Sequence, residues 1–185
     1  MRNETKDTRA LLKEKLRGCI QTGEITLSSG KVTNFYFDGR LVSLDPAGSV
    51  WIAHLVLDEI RRLGAPAVGG PSSGADPMVS AVGVLAYQQQ VPLQLFYVRK
   101  SAKSHGTKKM IEGPPLSPDM TAVLVDDTLT TGGSLLVAHD ALREETGIHA
   151  RAAIVVVDRE EGGRECLAEN GIEVSALFRK ADFLP

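Results

Sequence analysis

Residues 123–136 read VLVDDTLTTGGSLL and combine two acids, several hydroxyl side chains and two glycines within one short segment. The two glycines let the backbone approach an anion closely. The hydroxyl groups of Thr130, Thr131 and Ser134 can donate hydrogen bonds to the same anion. A helix that starts at this point adds free backbone N–H groups and the positive end of its dipole. The second half of the segment is therefore predicted to bind a phosphate group.

Asp126 and Asp127 directly precede this predicted phosphate site. They are not expected to bind the phosphate, because like charges repel. Carboxylates do accept hydrogen bonds from hydroxyl groups. A sugar phosphate satisfies both halves of the segment, with its phosphate on the glycine loop and its hydroxyl groups on the acids.

Packing, nucleotide binding and metal binding each fit this segment less completely. A glycine-rich turn before a helix often serves only tight packing, but this leaves the paired acids without a role. A P-loop would end in Gly-Lys-Ser/Thr, and a dinucleotide-binding loop would read Gly-x-Gly-x-x-Gly. The segment contains neither pattern. One metal ion bound by both acids is disfavoured, because neighbouring side chains on a strand point to opposite faces.

The flanking residues predict how this segment is held. TAVLV is predicted to be a strand, DDTLTTGG a crossover loop, and SLLVAHDALREET a helix that ends at Gly147. Further apolar runs, APAVGG, LQLFYV and RAAIVVV, alternate with helical patterns at about 77–90 and 134–146. Unbroken apolar strands alternating with helices are typical of a parallel sheet covered on both faces. We therefore expect an α/β, Rossmann-like fold with its ligand beyond the carboxyl ends of the strands.

The N-terminal residues show a different pattern. Apolar side chains recur at helical spacing among charged ones, which predicts an amphipathic helix. These side chains are Leu12, Leu16, Cys19 and Ile20. EITLSSGKVTNFYFDGR then joins a Ser-Ser-Gly turn to aromatic and β-branched residues, which predicts a hairpin. Asp45 and Pro46 suit the start of a helix that Gly64 closes.

Composition narrows the class of protein. With 185 residues, 43% of them hydrophobic, the chain can form one sizeable domain and a small appendage. A net charge of -2 gives no general attraction to nucleic acid or anionic membranes. Two distant cysteines, and no apolar run of about 18 residues, predict a protein of the reducing cytoplasm without a signal peptide or membrane span.

Four segments together resemble a known family. VLVDDTLTTGGS resembles the phosphoribosyl-diphosphate signature of type I phosphoribosyltransferases. YVRKSAKSHGTKKMIEG at 97–113 is similar to the mobile catalytic loop of the orotate phosphoribosyltransferases within that family. TLSSGKVTNFYFDGR and VVVDREEGG agree with it in order and spacing. The resemblance implies a type I phosphoribosyltransferase fold in a single domain, 1–185. Its hood would comprise about 1–44 and the tail SALFRKADF, and its core about 45–175.

The resemblance also implies a reaction and its residues. Ribose 5-phosphate would pass from 5-phosphoribosyl 1-diphosphate to orotate, giving orotidine 5'-monophosphate and pyrophosphate in pyrimidine biosynthesis. The catalytic residues would be Lys103, His105 and Asp127. The sugar diphosphate would contact Arg99, Lys100, Lys103, His105, Asp126, Asp127, Thr128, Leu129, Thr130, Thr131, Gly132, Gly133 and Ser134. Mg²⁺ would be bound mainly through the sugar diphosphate rather than by protein side chains. The loop GGPSSGADP at 69–77 could contact pyrophosphate through its N–H groups, or be only a strand-to-helix turn.

The resemblance places orotate against a second group of residues. Arg159 could make a two-pronged contact with an anionic edge of the base, beside Thr130 and Phe37. Asp158 would orient this region, whereas Tyr36 and Phe37 could equally belong to the core. Ser28 stands where some members of the family have a lysine, so we assign no catalytic cation there.

The family further implies a homodimer with shared active sites. A phosphoribosyltransferase for another base, or a regulatory module that binds the sugar diphosphate without catalysis, are the alternatives. The cation-rich loop at 99–105 favours an enzyme over such a sensor.

Overall fold

A mostly parallel sheet of six strands forms the centre of the structure. The computed structural model describes residues 2–26, 30, 32–101 and 109–184. In chain order the elements are α1 (Arg2–Arg17), β1 (Ile20–Thr26), β2 (Val32–Phe37), α2 (Arg40–Ser43), α3 (Pro46–Leu63), β3 (Ala67–Pro71), α4 (Asp76–Gln88), β4 (Gln94–Val98), β5 (Ile111–Glu112), β6 (Ala122–Leu129), α5 (Gly133–Thr146), β7 (Ala150–Asp158), α6 (Gly163–Glu169), β8 (Glu173–Arg179) and a 3₁₀ helix (Lys180–Asp182). The sheet order is β5-β4-β3-β6-β7-β8.

Helices cover both faces of this sheet. β4, β3, β6, β7 and β8 are parallel, and the short β5 is antiparallel to β4. Alternate residues of β6 illustrate the two faces. Val123 and Val125 pack with α1, α3 and α4, whereas Leu124 packs with α5 and α6. Burial on both faces explains why the strands read as unbroken apolar runs, and the predicted α/β architecture is confirmed.

The hood is built from α1 and the hairpin β1–β2. The hairpin forms a separate antiparallel sheet of two strands, as predicted. Leu12 and Leu16 are fully buried and join Phe35 and Phe37 in the same cluster as α3 and α4. The predicted helical face was too long, because α1 ends at Arg17. Here the chain turns, and Ile20 is already the first residue of β1.

Two boundaries differ from the sequence prediction. β6 does not end at Val125 but continues through Asp126 and Asp127 to Leu129, because its backbone keeps pairing with β7 as far as Asp158. β8 was not predicted as a strand of the sheet. It forms the sheet edge, so the expected end of the core near residue 175 falls inside it.

The segment after β8 returns to the hood. Lys180 Nζ donates to Asn34 Oδ1 at 3.2 Å, and Lys13 lies 3.8 Å from Asp182. Phe183 packs against the core cluster that contains α1 and β2. The C-terminal residues therefore contact both parts of the hood.

The start of α3 connects the hood to the core. Asp45 is the N-cap, and its side chain accepts a hydrogen bond from Gly48 N at 2.8 Å. The same carboxylate lies 3.0 Å from Lys15 Nζ of α1. Pro46 occupies the first turn and Gly64 closes the helix with a φ of 64°, so both predicted ends of α3 are confirmed.

We expect Asp45→Ala to lower the free energy of unfolding by about 1–2 kcal/mol, because the first turn of α3 loses its cap. Both Asp45→Ala and Asp45→Asn lose the ion pair with Lys15, but asparagine keeps an oxygen that can cap the helix. Asp45→Asn should therefore lower the free energy of unfolding distinctly less than Asp45→Ala, as measured by urea unfolding. Equal losses in the two variants would show that the ion pair, rather than the cap, is the stabilising contact.

Candidate active site

The acid pair lies near the carboxyl end of β6, between two close backbone segments. Asp126 is 8% exposed, and its Oδ1 accepts a hydrogen bond from Asp127 N at 2.9 Å. A Cβ added to Gly74 would lie 2.5 Å from Asp126 Oδ1. A Cβ added to Gly39 would lie 2.4 Å from Asp127 Oδ2. Glycine at both positions therefore lets the backbone close over the two carboxyl groups.

This confinement changes how the acids ionise. Burial raises the pKa of Asp126 to about 8, and the neighbouring Asp127 is the second cause of this increase. A hydrogen bond from Asp127 N and the charge of Lys100 partly oppose it. Burial also raises the pKa of Asp127, and the charge of Asp38 adds to this effect. Hydrogen bonds from Thr128 and the charge of Arg40 act in the opposite direction on Asp127. The pair therefore retains a proton near neutral pH in the free protein.

The predicted phosphate site follows directly after the strand. Thr131, Gly133 and Ser134 are exposed, whereas Gly132 is buried and has a φ of 85°. A Cβ at Gly132 would meet Gly163 O at 3.2 Å, so α6 lies behind the turn. The segment from Thr128 to Leu135 lines a concavity of about 50 Å³ together with Asp126. Free N–H groups and hydroxyls at the start of α5 thus surround a space fit for an anion.

Cationic side chains border a second space beside the start of α5. A groove of about 300 Å³ is lined by Pro71, Ser72, Val98, Arg99, Lys100, Gly133, Ser134, Val137 and Ala138. The groove therefore joins part of the predicted 69–77 loop to two of the predicted cations and to the phosphate site.

Lys103, His105 and Ser28 lie outside the residues that the structure describes.

The two stems of the 99–110 loop are held together. Arg99 N donates to Met110 O at 2.9 Å, and Arg99 Nη1 lies 3.5 Å from Glu112 Oε1. Glu145 of α5 accepts hydrogen bonds from Met110 N at 2.6 Å and from Ile111 N at 3.2 Å. The loop that carries the predicted cations therefore leaves from a fixed base.

Arg159 lies on the other side of β6, between the acid strand and the hood. Its backbone N donates to Leu129 O at 2.9 Å, and its Nη2 donates to Phe35 O at 3.1 Å. The same Nη2 lies 2.7 Å from Glu161 Oε1. Arg159 is 8% exposed, and its buried Nε has no hydrogen-bond partner among the described residues. The arginine thus keeps one donor for another acceptor.

The remaining residues predicted near the base differ in burial. Phe37 is 5% exposed and packs in the core, whereas Tyr36 and Thr130 are half-buried. Asp158 is 1% exposed, and its Oδ2 accepts from Arg164 Nη2 at 3.1 Å. These positions leave the base contacts of Phe37 and Thr130 as predictions.

Sequence reasoning missed three groups around the site. Asp38 and Arg40 flank the glycine that touches Asp127, and Glu145 anchors the cationic loop. The triplet Asp-Gly-Arg directly after an aromatic strand was a usable signal for the first two. Nothing in the local sequence connects Glu145 with residues 110 and 111.

Comparison with known proteins gives the family. The sequence matches the family described as phosphoribosyl transferase domain over residues 52–169. Orotate phosphoribosyltransferase of Synechocystis sp. is 40% identical over 160 residues, which cover 86% of this chain and 80% of that protein. The enzyme of the same name from Rhodopirellula baltica is 38% identical over 170 residues, covering 89% and 87%. The chain belongs to the orotate phosphoribosyltransferase family.

Solved structures agree with this membership. Mycobacterium tuberculosis orotate phosphoribosyltransferase in complex with Fe(III) dicitrate superposes with a TM-score of 0.80 at 32% identity, covering 95% of this chain and 98% of that one. The same enzyme in complex with 5-phospho-alpha-D-ribosyl 1-diphosphate gives a TM-score of 0.77 at 29% identity, with the same coverage. Members of the orotate phosphoribosyltransferase family are pentosyltransferases, and the predicted fold and enzyme class are confirmed. Within the described part of the chain, no helix is both long and apolar enough to span a membrane.

We expect Asp126→Asn to flatten the dependence of stability on pH. The pKa of Asp126 is raised to about 8, so the folded protein keeps a proton between pH 4 and pH 8 that the unfolded chain releases. The stability associated with this proton is present at low pH and is lost as the pH rises through that window. Relative to the parent, the variant should therefore gain a few kcal/mol in free energy of unfolding between pH 5 and pH 8.5.

Urea unfolding at several pH values measures this difference. Asp7→Asn removes a carboxyl group at an exposed position on α1 and is the control with which Asp126→Asn is compared at every pH. A constant difference between Asp126→Asn and the parent would contradict the assigned ionisation.

Proposed function

We propose that the chain transfers the ribose 5-phosphate unit of 5-phosphoribosyl 1-diphosphate to orotate, releasing pyrophosphate, in the cytoplasmic synthesis of pyrimidines. The observation that carries this proposal is the acid pair, with Asp126 buried and Asp127 half-buried, placed directly before an open, hydroxyl-rich helix start. It provides for an anion and for neighbouring hydroxyl groups at one place, as a sugar phosphate requires. Family membership supplies the base and the leaving group.

In this proposal the 5-phosphate binds at the start of α5. The exposed N–H groups and hydroxyls of Thr131, Gly133 and Ser134 donate to its oxygens. The ribose hydroxyls then lie beside Asp126 and Asp127. The sugar's reacting carbon gains positive charge as pyrophosphate leaves, and the preorganised carboxyl groups stabilise that charge.

The diphosphate is assigned to the groove lined by Arg99 and Lys100. Lys103 and His105 of the same loop would complete its contacts, His105 as a ligand or proton donor. These residues fit a diphosphate that carries Mg²⁺, because two groove cations alone do not balance its charge and the adjacent acids favour a further cation. When bound, Mg²⁺ would neutralise the leaving group. Closure of the loop would exclude water from the reacting carbon.

Orotate is assigned to the space between β6 and the hood. Arg159 is already oriented there by Phe35 O, and its buried Nε lacks a hydrogen-bond partner among the described residues. Glu161 offsets part of the charge of Arg159 at 2.7 Å. A planar anionic base therefore meets a guanidinium whose position is fixed before binding, which favours a two-pronged contact.

A homodimer with shared active sites is part of the same proposal. Large apolar side chains that are more than half exposed occur close together in the chain at α2 and the start of α3. These are Leu41 (58%), Leu44 (67%) and Val50 (52%). Exposed apolar clusters are typical of interaction surfaces. A second copy of the chain would cover them, and the cationic loop of one subunit would reach the other subunit's acid pair.

The first test compares bases. The parent should convert orotate with 5-phosphoribosyl 1-diphosphate and Mg²⁺, and should not convert uracil or purines at a comparable rate. Arg159→Ala should cost about 2–5 kcal/mol in kcat/KM for orotate, by analogy with truncating one member of a buried charge pair. Arg159→Lys should restore only part of this loss, because a lysine lacks the planar fork.

Preferred conversion of a purine or of uracil would support the alternative phosphoribosyltransferase, and binding without turnover would support a sensor. Full activity of Arg159→Lys would show that the two-pronged geometry is not needed. Circular dichroism of both variants checks that the fold is retained.

The shared site is tested by mixing two inactive variants, Lys103→Ala and Asp127→Asn. If the loop of one subunit serves the acid pair of the other, a mixed dimer has one site with both defects and one intact site. Random pairing makes half of the dimers mixed, so unfolding and refolding the variants together should restore about a quarter of the parent activity. Mixed dimers confirmed by differential tags but without recovered activity would exclude sharing.

A further inference from the structure

The residues that directly follow β2, Asp38 to Arg40, form the exit of the hairpin and carry a charge pair close to the acid pair of β6. Arg40 Nε donates to Asp38 Oδ1 at 3.1 Å, and Arg40 Nη2 donates to Asp38 Oδ2 at 3.5 Å. The backbone N of Arg40 also donates to Asp38 Oδ1, at 3.1 Å. The two charged side chains are therefore fixed relative to each other on either side of Gly39.

Gly39 brings this turn into contact with Asp127. A Cβ on Gly39 would lie 2.4 Å from Asp127 Oδ2 and 2.6 Å from both its Cβ and its Cγ. These distances are far below van der Waals contact, so only glycine permits the observed approach. The hood therefore touches the acid pair through a backbone segment that has an acid on one side and an arginine on the other.

The charges of this turn act on Asp127 with opposite signs. Burial is the main cause of the raised pKa of Asp127, and Asp38 raises it further, whereas hydrogen bonds from Thr128 and the charge of Arg40 lower it. Along β6, Asp126 is the adjacent carboxyl group, and Lys100 acts on Asp126. From the loop before α4, the uncharged Gly74 approaches Asp127, since a Cβ added to it would lie 3.4 Å from Asp127 Oδ1.

We propose that Asp38 and Arg40 are positioning residues for Asp127, and that the hood uses them to set how readily this acid meets the sugar as a carboxylate. The consequence for catalysis rests on the proposed function, but the effect on Asp127 does not. Arg40 favours the charged form that accepts hydrogen bonds from two hydroxyl groups. Asp38 holds the guanidinium in place and limits its effect.

A purely structural ion pair and a positioning pair predict different outcomes. Asp38→Asn and Arg40→Gln break the same ion pair, so a structural role predicts similar effects from both. A positioning role predicts opposite effects on the titration of Asp127, because one variant removes a negative charge and the other a positive one. Asp38→Asn also keeps an oxygen for the backbone N of Arg40, which limits disturbance of the turn.

The experiment follows the carboxyl carbon of Asp127 by ¹³C NMR as a function of pH, in the free full-length protein. Asp127→Asn identifies the signal by its loss. We expect the midpoint to fall in Asp38→Asn, to rise in Arg40→Gln, and to return towards the parent in Arg40→Lys and in the double variant Asp38→Asn/Arg40→Gln. Arg62→Gln is the matched control, since Arg62 makes a similar two-pronged contact with Glu59 on α3.

Midpoints that move in the same direction, or that do not move, in Asp38→Asn and Arg40→Gln would overturn the proposal. Urea unfolding of each variant shows whether the fold is kept, and the double variant decides the question if one single variant is unstable. A shift in Arg62→Gln equal to that in Arg40→Gln would also overturn it, because the effect would not be local.

Steady-state kinetics then tests whether the ionisation of Asp127 affects catalysis. The acidic limb of the pH profile of kcat/KM for 5-phosphoribosyl 1-diphosphate should move with the NMR midpoint, downwards in Asp38→Asn and upwards in Arg40→Gln. The KM for orotate should change little. If the NMR midpoints of Asp38→Asn and Arg40→Gln move in opposite directions but the parent does not convert orotate, the proposed function is contradicted and the positioning role is kept. If the parent converts orotate but the midpoints do not move, only the positioning role is contradicted.

Discussion

Two neighbouring carboxyl groups, Asp126 buried and Asp127 half-buried, are confined near the end of β6, and much of the structure depends on this confinement. Burying like charges side by side is costly, and the chain reduces the cost by protonation and by hydrogen bonds from the backbone. The burial of Asp126, with the adjacent Asp127, raises its pKa to about 8. A ligand that offers hydroxyl donors and a nearby cation relieves the same cost. The free site is thus set up for a sugar carrying a charged leaving group.

Close backbone contacts maintain this arrangement. Gly39 of the hood and Gly74 of the loop after β3 approach the two carboxyl groups within distances that a Cβ would not allow. Gly70 similarly approaches Val125 O of β6, where a Cβ would lie at 2.1 Å. A methyl group at any of these positions would force the acids and their covering segments apart. Gly70, Gly74 and Gly39 therefore all allow the backbone to pack closely around the acid pair, although they belong to different parts of the sequence.

The hood contributes to both sides of the site. Its hairpin supplies Phe35 O to Arg159, and its exit supplies the charge pair beside Asp127. Leu12 and Leu16 of α1 are buried in one cluster with Phe35 of the hairpin, and Lys180 donates a hydrogen bond to Asn34. An ion pair between Lys13 and Asp182 joins α1 to the same C-terminal residues. A small appendage to the sheet thus positions the proposed base contact and influences the acid at the reacting centre.

The sequence by itself determined four strands of the sheet (β3, β4, β6 and β7), the helix ends at Asp45 and Gly64, and the acid-to-glycine segment. Apolar period, capping residues and local loop chemistry act over a few neighbours, so a local pattern reveals them. The sequence placed the acids in a loop, whereas pairing with β7 extends β6 through them. Only the tertiary structure decided that Gly39 covers Asp127, that Asp38 and Arg40 flank it, and that Glu145 anchors residues 110 and 111. These contacts join segments far apart in the chain, and their energies depend on burial and distance, which no local pattern of residues specifies.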